Sequence, residues 1–148
     1  MNRLIFFIAL ITIGTIASAQ GYTQKRNNYL GRTEFYDANG NMVGYAKENT
    51  YLNRMEYYNA YGTLVKTENF NQNLNRTETR SPTGTLQNTR NHNQYLDRED
   101  IKDSYGNVIG YRKWNNYLDR YEVFNSSGTM VGYYKYNKYL DKWEYHER

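Results

Sequence analysis

Leucine returns every 22 residues without a single insertion, at Leu30, Leu52, Leu74, Leu96, Leu118 and Leu140. Glycine keeps the same step at Gly40, Gly62, Gly84, Gly106 and Gly128, and asparagine keeps it at Asn49, Asn71, Asn93, Asn115 and Asn137. A strict period of this length admits few folds, because one unit is too small to bury a core alone and must pack against its neighbours. Two further columns carry charge. Arg32, Arg54, Arg76, Arg98, Arg120 and Lys142 form the basic one; Glu34, Glu56, Glu78, Asp100, Glu122 and Glu144 form the acidic one.

Each unit reads as two strands around a turn. Residues on both sides of the glycine alternate and favour aromatic or β-branched types, as in Arg120-Tyr121-Glu122-Val123-Phe124 and Met130-Val131-Gly132-Tyr133-Tyr134. The turns Asp37-Ala38-Asn39-Gly40 and Asn125-Ser126-Ser127-Gly128 suit a three-residue hairpin loop, in which a type I turn is followed by a glycine in the left-handed region. A unit of 22 residues divided by Gly and Asn leaves no room for a useful helix.

With Asp37 opposite Asn41, simple alternation pairs Phe35 with Val43 and Thr33 with Tyr45 on one face, leaving Arg32, Glu34, Tyr36 and Met42 on the other. The first face repeats as Tyr57 with Val65, Ile101 with Ile109 and Val123 with Val131, and is expected to face the core. On the second face, Arg and Glu two residues apart make a ladder of charge pairs. The chain is therefore expected to be all-β, with five 22-residue hairpins and a final strand from the half-unit after Asn137. Closure into a ring removes the two unpaired edges that an open single-layer array would leave; the open array is the alternative.

The N-terminus differs from the repeats. Arg3, an apolar run over residues 4–13 and Ala17-Ser18-Ala19 make a secretory signal peptide over residues 1–19, with cleavage before Gln20. Residues 20–28 follow as an N-terminal segment, and residues 29–148 form the repeat domain. The apolar run is too short to span a bilayer comfortably, and no later segment approaches the required length of about 20 apolar residues. With no Cys in the chain there is no lipidated cysteine and no disulfide, so a soluble secreted or periplasmic product, stabilised by packing and strand pairing, is expected. Loss of Arg3 lowers the formal charge from +4 to +3, and the charges are interleaved, unlike the basic block that signals nucleic acid.

No catalytic, cofactor-binding or metal-ligating residue is assigned. The two histidines, His92 and His146, belong to no zinc-protease motif, and neither a phosphate loop nor a nucleophile elbow is present. Glycoside hydrolysis requires two carboxylates in different environments, whereas equivalent carboxylates each beside an Arg predict equivalent ones. All 18 Tyr lie after the signal, and Tyr is able either to pack or to stack on sugar rings. The columns in question are Tyr29, Tyr51, Tyr95, Tyr117 and Tyr139, and Tyr45, Tyr111 and Tyr133. Tyr95, Tyr117, Tyr139 and Trp114 are the candidate ligand-stacking residues; Gly40, Gly62, Gly84, Gly106 and Gly128 are the structural turn residues.

The third unit departs from the pattern. Thr79, Arg80, Gln87, Asn88 and Thr89 replace aromatic and aliphatic residues, and the single proline, Pro82, sits in its turn. Weak packing of this unit is the favoured expectation, and an opening toward a ligand is the alternative.

The stretch Tyr121-Glu122-Val123-Phe124-Asn125-Ser126-Ser127-Gly128-Thr129-Met130-Val131-Gly132-Tyr133 is similar to choline-binding cell-wall repeats, and Glu34-Phe35-Tyr36-Asp37-Ala38-Asn39-Gly40 resembles MORN-type repeats. On its five glycine turns, constant step and signal peptide, the chain from residue 29 onward most resembles the fivefold β-flower proteins. That resemblance implies a closed, tubby-like barrel without established enzymatic activity.

The expected function is an exported, non-enzymatic binding or scaffolding module of the cell envelope or extracellular space, with a polysaccharide or protein as partner and no cofactor. A purely structural envelope protein is the alternative, with a carbohydrate-active enzyme as a weaker one. A binding module should line its site differently from unit to unit, whereas a structural one should repeat one surface. Intact-mass spectrometry of the protein exported by a bacterial host should find Gln20 as the new N-terminus; an uncut chain would place the apolar run in the mature protein.

Overall fold

The computed structural model describes residues 22–148, so the signal-peptide reading of residues 1–19 lies outside the described residues. All regular structure in the described chain is β. It comprises twelve strands: β1 (Thr23–Asn27), β2 (Arg32–Tyr36), β3 (Met42–Asn49), β4 (Arg54–Asn59), β5 (Leu64–Asn71), β6 (Arg76–Arg80), β7 (Leu86–Asn93), β8 (Arg98–Asp103), β9 (Val108–Asn115), β10 (Arg120–Asn125), β11 (Met130–Asn137) and β12 (Lys142–Glu147). Each pairs antiparallel with its sequence neighbours, and β1 pairs with both β2 and β12, closing the barrel. The expected ring of five hairpins plus a final strand is present. Its seam is supplied by β1, from the segment ahead of Tyr29: Gln24 stands opposite Trp143 on one side and Phe35 on the other.

The glycine turns close as three-residue loops. Gly40 has φ 83°, its N–H donates to Asp37 O at 3.1 Å, and the Asp37 N–H donates to Asn41 O at 2.9 Å. The residue before the loop also caps the turn with its side chain: Asp37 accepts from the N–H groups of Asn39 and Asn41, and Asn59 accepts from those of Tyr61 and Thr63.

Simple alternation fails one step beyond this loop. Tyr36 stands opposite Met42, but Phe35 stands opposite Gly44, so Val43 is an extra residue in a β-bulge. Val65, Gln87, Ile109 and Val131 are bulged in the same way. The expected pairs Phe35 with Val43 and Thr33 with Tyr45 are therefore replaced by Phe35 with Gly44 and Thr33 with Ala46. The same correction removes Val65, Ile109 and Val131 from the positions opposite Tyr57, Ile101 and Val123; those are taken by Lys66, Gly110 and Gly132. Inward-facing residues before each glycine are those expected from alternation, but those after it are displaced by one.

Small residues at the displaced positions let larger ones meet across them. Ala46 on β3 is buried between Phe35 and Tyr57, whose rings stack at 6.3 Å, with Met55 and Val65 packed alongside. A Cβ on Gly44 would lie 2.4 Å from the Tyr58 carbonyl oxygen, so the close approach of β3 to β4 at this bulge requires glycine.

The outer face carries the repeat. Arg54 donates through Nε and Nη2 to Glu56 Oε1 at 2.9 and 2.6 Å, Asn49 Nδ2 donates to the same oxygen at 3.1 Å, and the Tyr58 hydroxyl donates to Oε2 at 2.6 Å. Arg32, Asn27 and Tyr36 treat Glu34 in the same manner, and in the third unit Arg80 takes the place of the tyrosine on Glu78. The basic column also covers the outer tyrosines: the guanidinium groups of Arg32, Arg98 and Arg120 lie 4.3, 3.9 and 4.2 Å from the ring centres of Tyr45, Tyr111 and Tyr133. These tyrosines form outer clusters with Tyr58, Phe124 and His146, rather than a core. An outer wall of paired charges is the opposite of the apolar band that a lipid-facing barrel wall requires.

Asparagine links this clamp to the second kind of turn. Asn115 Oδ1 accepts from the N–H groups of Tyr117 and Leu118 while its Nδ2 donates to Glu122. The residue after each leucine closes the turn in the left-handed region: Gly31, Asn53, Asn75, Asp97, Asp119 and Asp141 have φ between 46° and 62°. Replacing Asn115 by Ala removes all three hydrogen bonds and should cost about 1 kcal/mol in urea unfolding.

The hydroxyl of Tyr36, ahead of Arg32 and Asn27, holds the Glu34 carboxyl below the ordinary glutamate value, and Tyr58 and Arg80 are the leading causes of the same lowering at Glu56 and Glu78. A carboxylate with a depressed folded pKa stabilises the fold at pH above its unfolded value and loses that contribution as pH falls through the folded value. Unfolding midpoints should therefore drop once pH passes below the ordinary value of 4.5, and Glu56→Gln should flatten that acid limb while lowering stability at neutral pH.

Candidate functional site

Two features of the barrel have chemistry that packing does not consume. The first is one rim. In an up-and-down meander the six turns joining β1 to β2, β3 to β4 and onward to β12 all fall at the same end. Each turn contributes the x-Tyr-Leu tip of the repeat, with Asn73 in place of tyrosine in the third unit. Tyr29, Tyr51, Tyr95, Tyr117 and Tyr139 are 94–100% exposed, and the leucines after them are about half exposed. The turn backbone is held by the asparagine and left-handed residues, so the side chain between them has no packing duty and projects into solvent. Neighbouring tips are two strands apart, roughly 10 Å along the sheet.

Of the candidate stacking residues, the structure brings Tyr95, Tyr117 and Tyr139 together on this rim. Trp114 is placed elsewhere, on the inner wall opposite Tyr121, at 4.6 Å edge to face. The opposite rim carries the five glycine turns, with Tyr61 and Tyr105 at two of their tips. Asp97, Asp119 and Asp141 stand in the turns beside Tyr95, Tyr117 and Tyr139, so the crown mixes exposed phenol rings with carboxylates and amides.

The second feature is the lumen, where the units differ from one another. The inward position at the bulge is Gly44, Lys66, Asn88, Gly110 and Gly132 in successive units; the next inward position is Ala46, Glu68, Arg90, Arg112 and Tyr134. One arc of the wall is consequently charged and the other aromatic. Glu68 is the hub of the charged arc: it accepts from Lys66 Nζ at 3.2 Å, Arg90 Nη2 at 2.8 Å, the Tyr57 hydroxyl at 2.9 Å and Thr79 Oγ1 at 3.2 Å. Arg112 pairs with Glu99. On the aromatic arc Tyr121 meets Trp114 and Trp143, and Tyr134 meets Tyr145 at 4.7 Å.

The electrostatics follow from burial against pairing. Burial pushes the Glu68 carboxyl up, but Arg90, Lys66 and Tyr57 together outweigh it and hold the group below the ordinary value. Burial brings the Lys66 ammonium down despite Glu68. It also brings Arg112 down, against the pull of Glu99 and with repulsion from Arg90 adding to the effect. Burial raises the Tyr57 hydroxyl well above its ordinary value and raises that of Tyr134 too.

The third unit lies in this charged arc and is not loosely packed. Thr79 is 1% exposed and bonded to Glu68, and Thr89 is also buried. Of its polar residues, Thr79 and Asn88 face the charged arc while Arg80 and Thr89 lie on the outer face beside Glu78, and the burial of Thr79 and Thr89 corrects the expectation of weak packing. The lumen charges were missed at the sequence level. Their only signal was departure from the repeat within columns that the bulge had misassigned.

Among the described residues no group of three or more His, Cys, Asp or Glu side chains is arranged to hold a metal ion, and no helix is long and apolar enough to cross a membrane. No family model matches the chain, and no curated protein matches it. Among solved structures, the chain is similar to an X-ray structure of a protein from Arabidopsis thaliana, with a TM-score of 0.64 at 14% identity over 86% of this chain and 79% of that one. At this identity the likeness is one of fold.

Proposed function

We propose that this protein is an exported, non-enzymatic binding module that engages a polysaccharide of the cell envelope or extracellular space through the tyrosine crown on one rim. The observation that carries this reading is the near-complete exposure of five tyrosines on turns of one repeated geometry. An exposed aromatic ring costs solubility and returns no stability, so a rim that presents it five times is built for a surface outside the protein. Phenol faces suit the apolar faces of sugar rings, while the neighbouring carboxylates and amides suit hydroxyl groups. Asp97, Asp119 and Asp141 at three successive turns disfavour an anionic lipid surface. Weak contacts at several tips add through effective concentration, which favours a repeating polymer over a single small sugar.

Export, signal cleavage before Gln20 and a secreted or periplasmic location belong to the same proposal, supported by the sequence of residues 1–19. Kinship with the β-flower proteins is likewise part of it, supported by five hairpins closed into a ring. A scaffold without a ligand is the second reading, favoured by the repeated Arg–carboxylate clamps of the outer face.

Glycan-array and peptidoglycan pull-down assays should detect binding by the protein and its loss in a variant carrying Tyr95→Ala, Tyr117→Ala and Tyr139→Ala. Because these side chains touch little, the variant should keep its unfolding midpoint, with each change within about 0.5 kcal/mol. Binding retained by the folded variant would dismiss the crown, and no binding by either protein would favour the scaffold.

A further inference from the structure

We propose that the outer wall binds a flexible acidic polysaccharide along a row of four lysines, Lys25, Lys47, Lys113 and Lys135. Each stands directly opposite a clamp carboxylate, on Glu34, Glu56, Glu122 and Glu144 respectively, so all four project from the outer face. All four are exposed. Asn69 and Asn91 take this position in the other two units, so the lysines do not run round the whole ring. They occupy β9, β11, β1 and β3, one arc that reaches half way round the barrel.

The row is charge in excess. The four carboxylates opposite it are already paired, with Arg32, Arg54, Arg120 and Lys142 at 2.6–3.6 Å, so this wall is neutral before the lysines are added. Asp119 and Asp141 in the crown turns of the arc are offset in part by Lys138. One step along the strands, Arg26 and Glu48 alternate to the inner face and balance each other, which leaves this half of the arc three positive. Asp37, Glu147 and Arg148 lie at the far, glycine-turn end. Elsewhere on the wall the surplus is Lys102 and Arg80, and Arg80 is bonded to Glu78 and to the Gly84 carbonyl.

Spacing and curvature choose the occupant. Lys25 stands level with Tyr45 through Glu34, and Lys47 lies two residues further along β3. Two strand separations and two residue rises put neighbouring Cα atoms roughly 12 Å apart. A row bent through half a ring points its two ends in opposite directions, so a planar bilayer or a rigid protein does not meet all four lysines. Duplex DNA, stiff over about 150 base pairs, does not follow so tight a curve. A single nucleic-acid strand stacks its bases on open aromatic faces. Here the rings of Tyr45, Tyr111 and Tyr133 are covered, by a guanidinium from one neighbouring strand and a ring from the other. Strand phosphates recur at about 3.4 Å and the residues of an extended acidic peptide at about 3.5 Å, which crowds several charges against each lysine. A glycan in which an acidic sugar alternates with a neutral one carries one carboxylate per disaccharide, close to the lysine spacing, and its glycosidic linkages let it bend.

The test is calorimetric titration of the whole protein with hyaluronan oligosaccharides, which carry one carboxylate per disaccharide, beside their methyl esters, poly-L-glutamate and oligothymidylate. Hyaluronan should bind saturably and lose affinity with added salt, and its ester should bind at least about tenfold more weakly. Lys113→Gln with Lys135→Gln should weaken binding by about tenfold, whereas Lys102→Gln with Arg148→Gln, which removes the same charge away from the row, should change it by less than about threefold. No binding, equal binding of acid and ester, equal losses in the two double variants, or tighter binding of poly-L-glutamate or oligothymidylate would overturn the site. The comparison of acid with ester on the unaltered protein stands whether or not a variant folds. The variant with Tyr95→Ala, Tyr117→Ala and Tyr139→Ala should bind hyaluronan undiminished, so failure of the crown and failure of the lysine row are read separately; loss of hyaluronan by that variant would overturn the row.

Discussion

Side chains alternate along a strand, so a single extra residue reverses every assignment beyond it, and this barrel places one such residue beside each glycine turn. The bulge puts Gly44, Lys66, Asn88, Gly110 and Gly132 at the lumen and turns Tyr45, Tyr111 and Tyr133 outward beneath the arginines. The division of labour between the two faces rests on that step. Without it the charged hub around Glu68 would lie outside and the outer tyrosines would compete for the core.

The two faces solve different problems. The outer wall is built from one local unit, in which Asn and Arg close around a carboxylate, joined at Glu34, Glu56 and Glu78 by a donor two residues on. Its bonds join residues two to seven apart, so each copy assembles from its own unit and its neighbouring strand. Exposed ion pairs of this kind contribute little individually. Here the carboxylates are shielded and shared between Asn and Arg, with a third donor at Glu34, Glu56 and Glu78, and the same asparagine fixes the turn, so the clamp sets register as well as charge. The inner wall has no repeating unit. Its bonds run between units, as in the Arg90 to Glu68 pair 22 residues apart, and they exist only because the sheet curves into a ring.

Closure depends on a strand outside the repeat. β1 lies ahead of the first repeat leucine, Leu30, yet it stands between β2 and β12 and buries their edges. It is the shorter, more exposed partner of the seam, with two registered pairs against β12 and five against β2. Asn27 at its end performs the same capping as the asparagines of the repeat, bonding Glu34 and the Leu30 N–H. β1 thus ends in the same asparagine cap as the second strand of each repeat.

By itself, the 22-residue period determined the all-β class, the hairpin count, the three-residue glycine loops and the Arg–carboxylate pairing, because each depends on residues close in sequence and on alternation within one strand. The tyrosine column was legible as a repeated aromatic able either to stack or to pack, and its exposure on the turns was decided by the structure. The tertiary structure alone decided the rest: the bulge that displaced Val43, the role of β1, the inward placement of Trp114 and the lumen cluster of Lys66, Glu68, Arg90, Glu99 and Arg112. The physical reason is that facing across a ring is a long-range property. A repeat identifies equivalent positions, whereas the lumen is assembled from the positions at which equivalence breaks down.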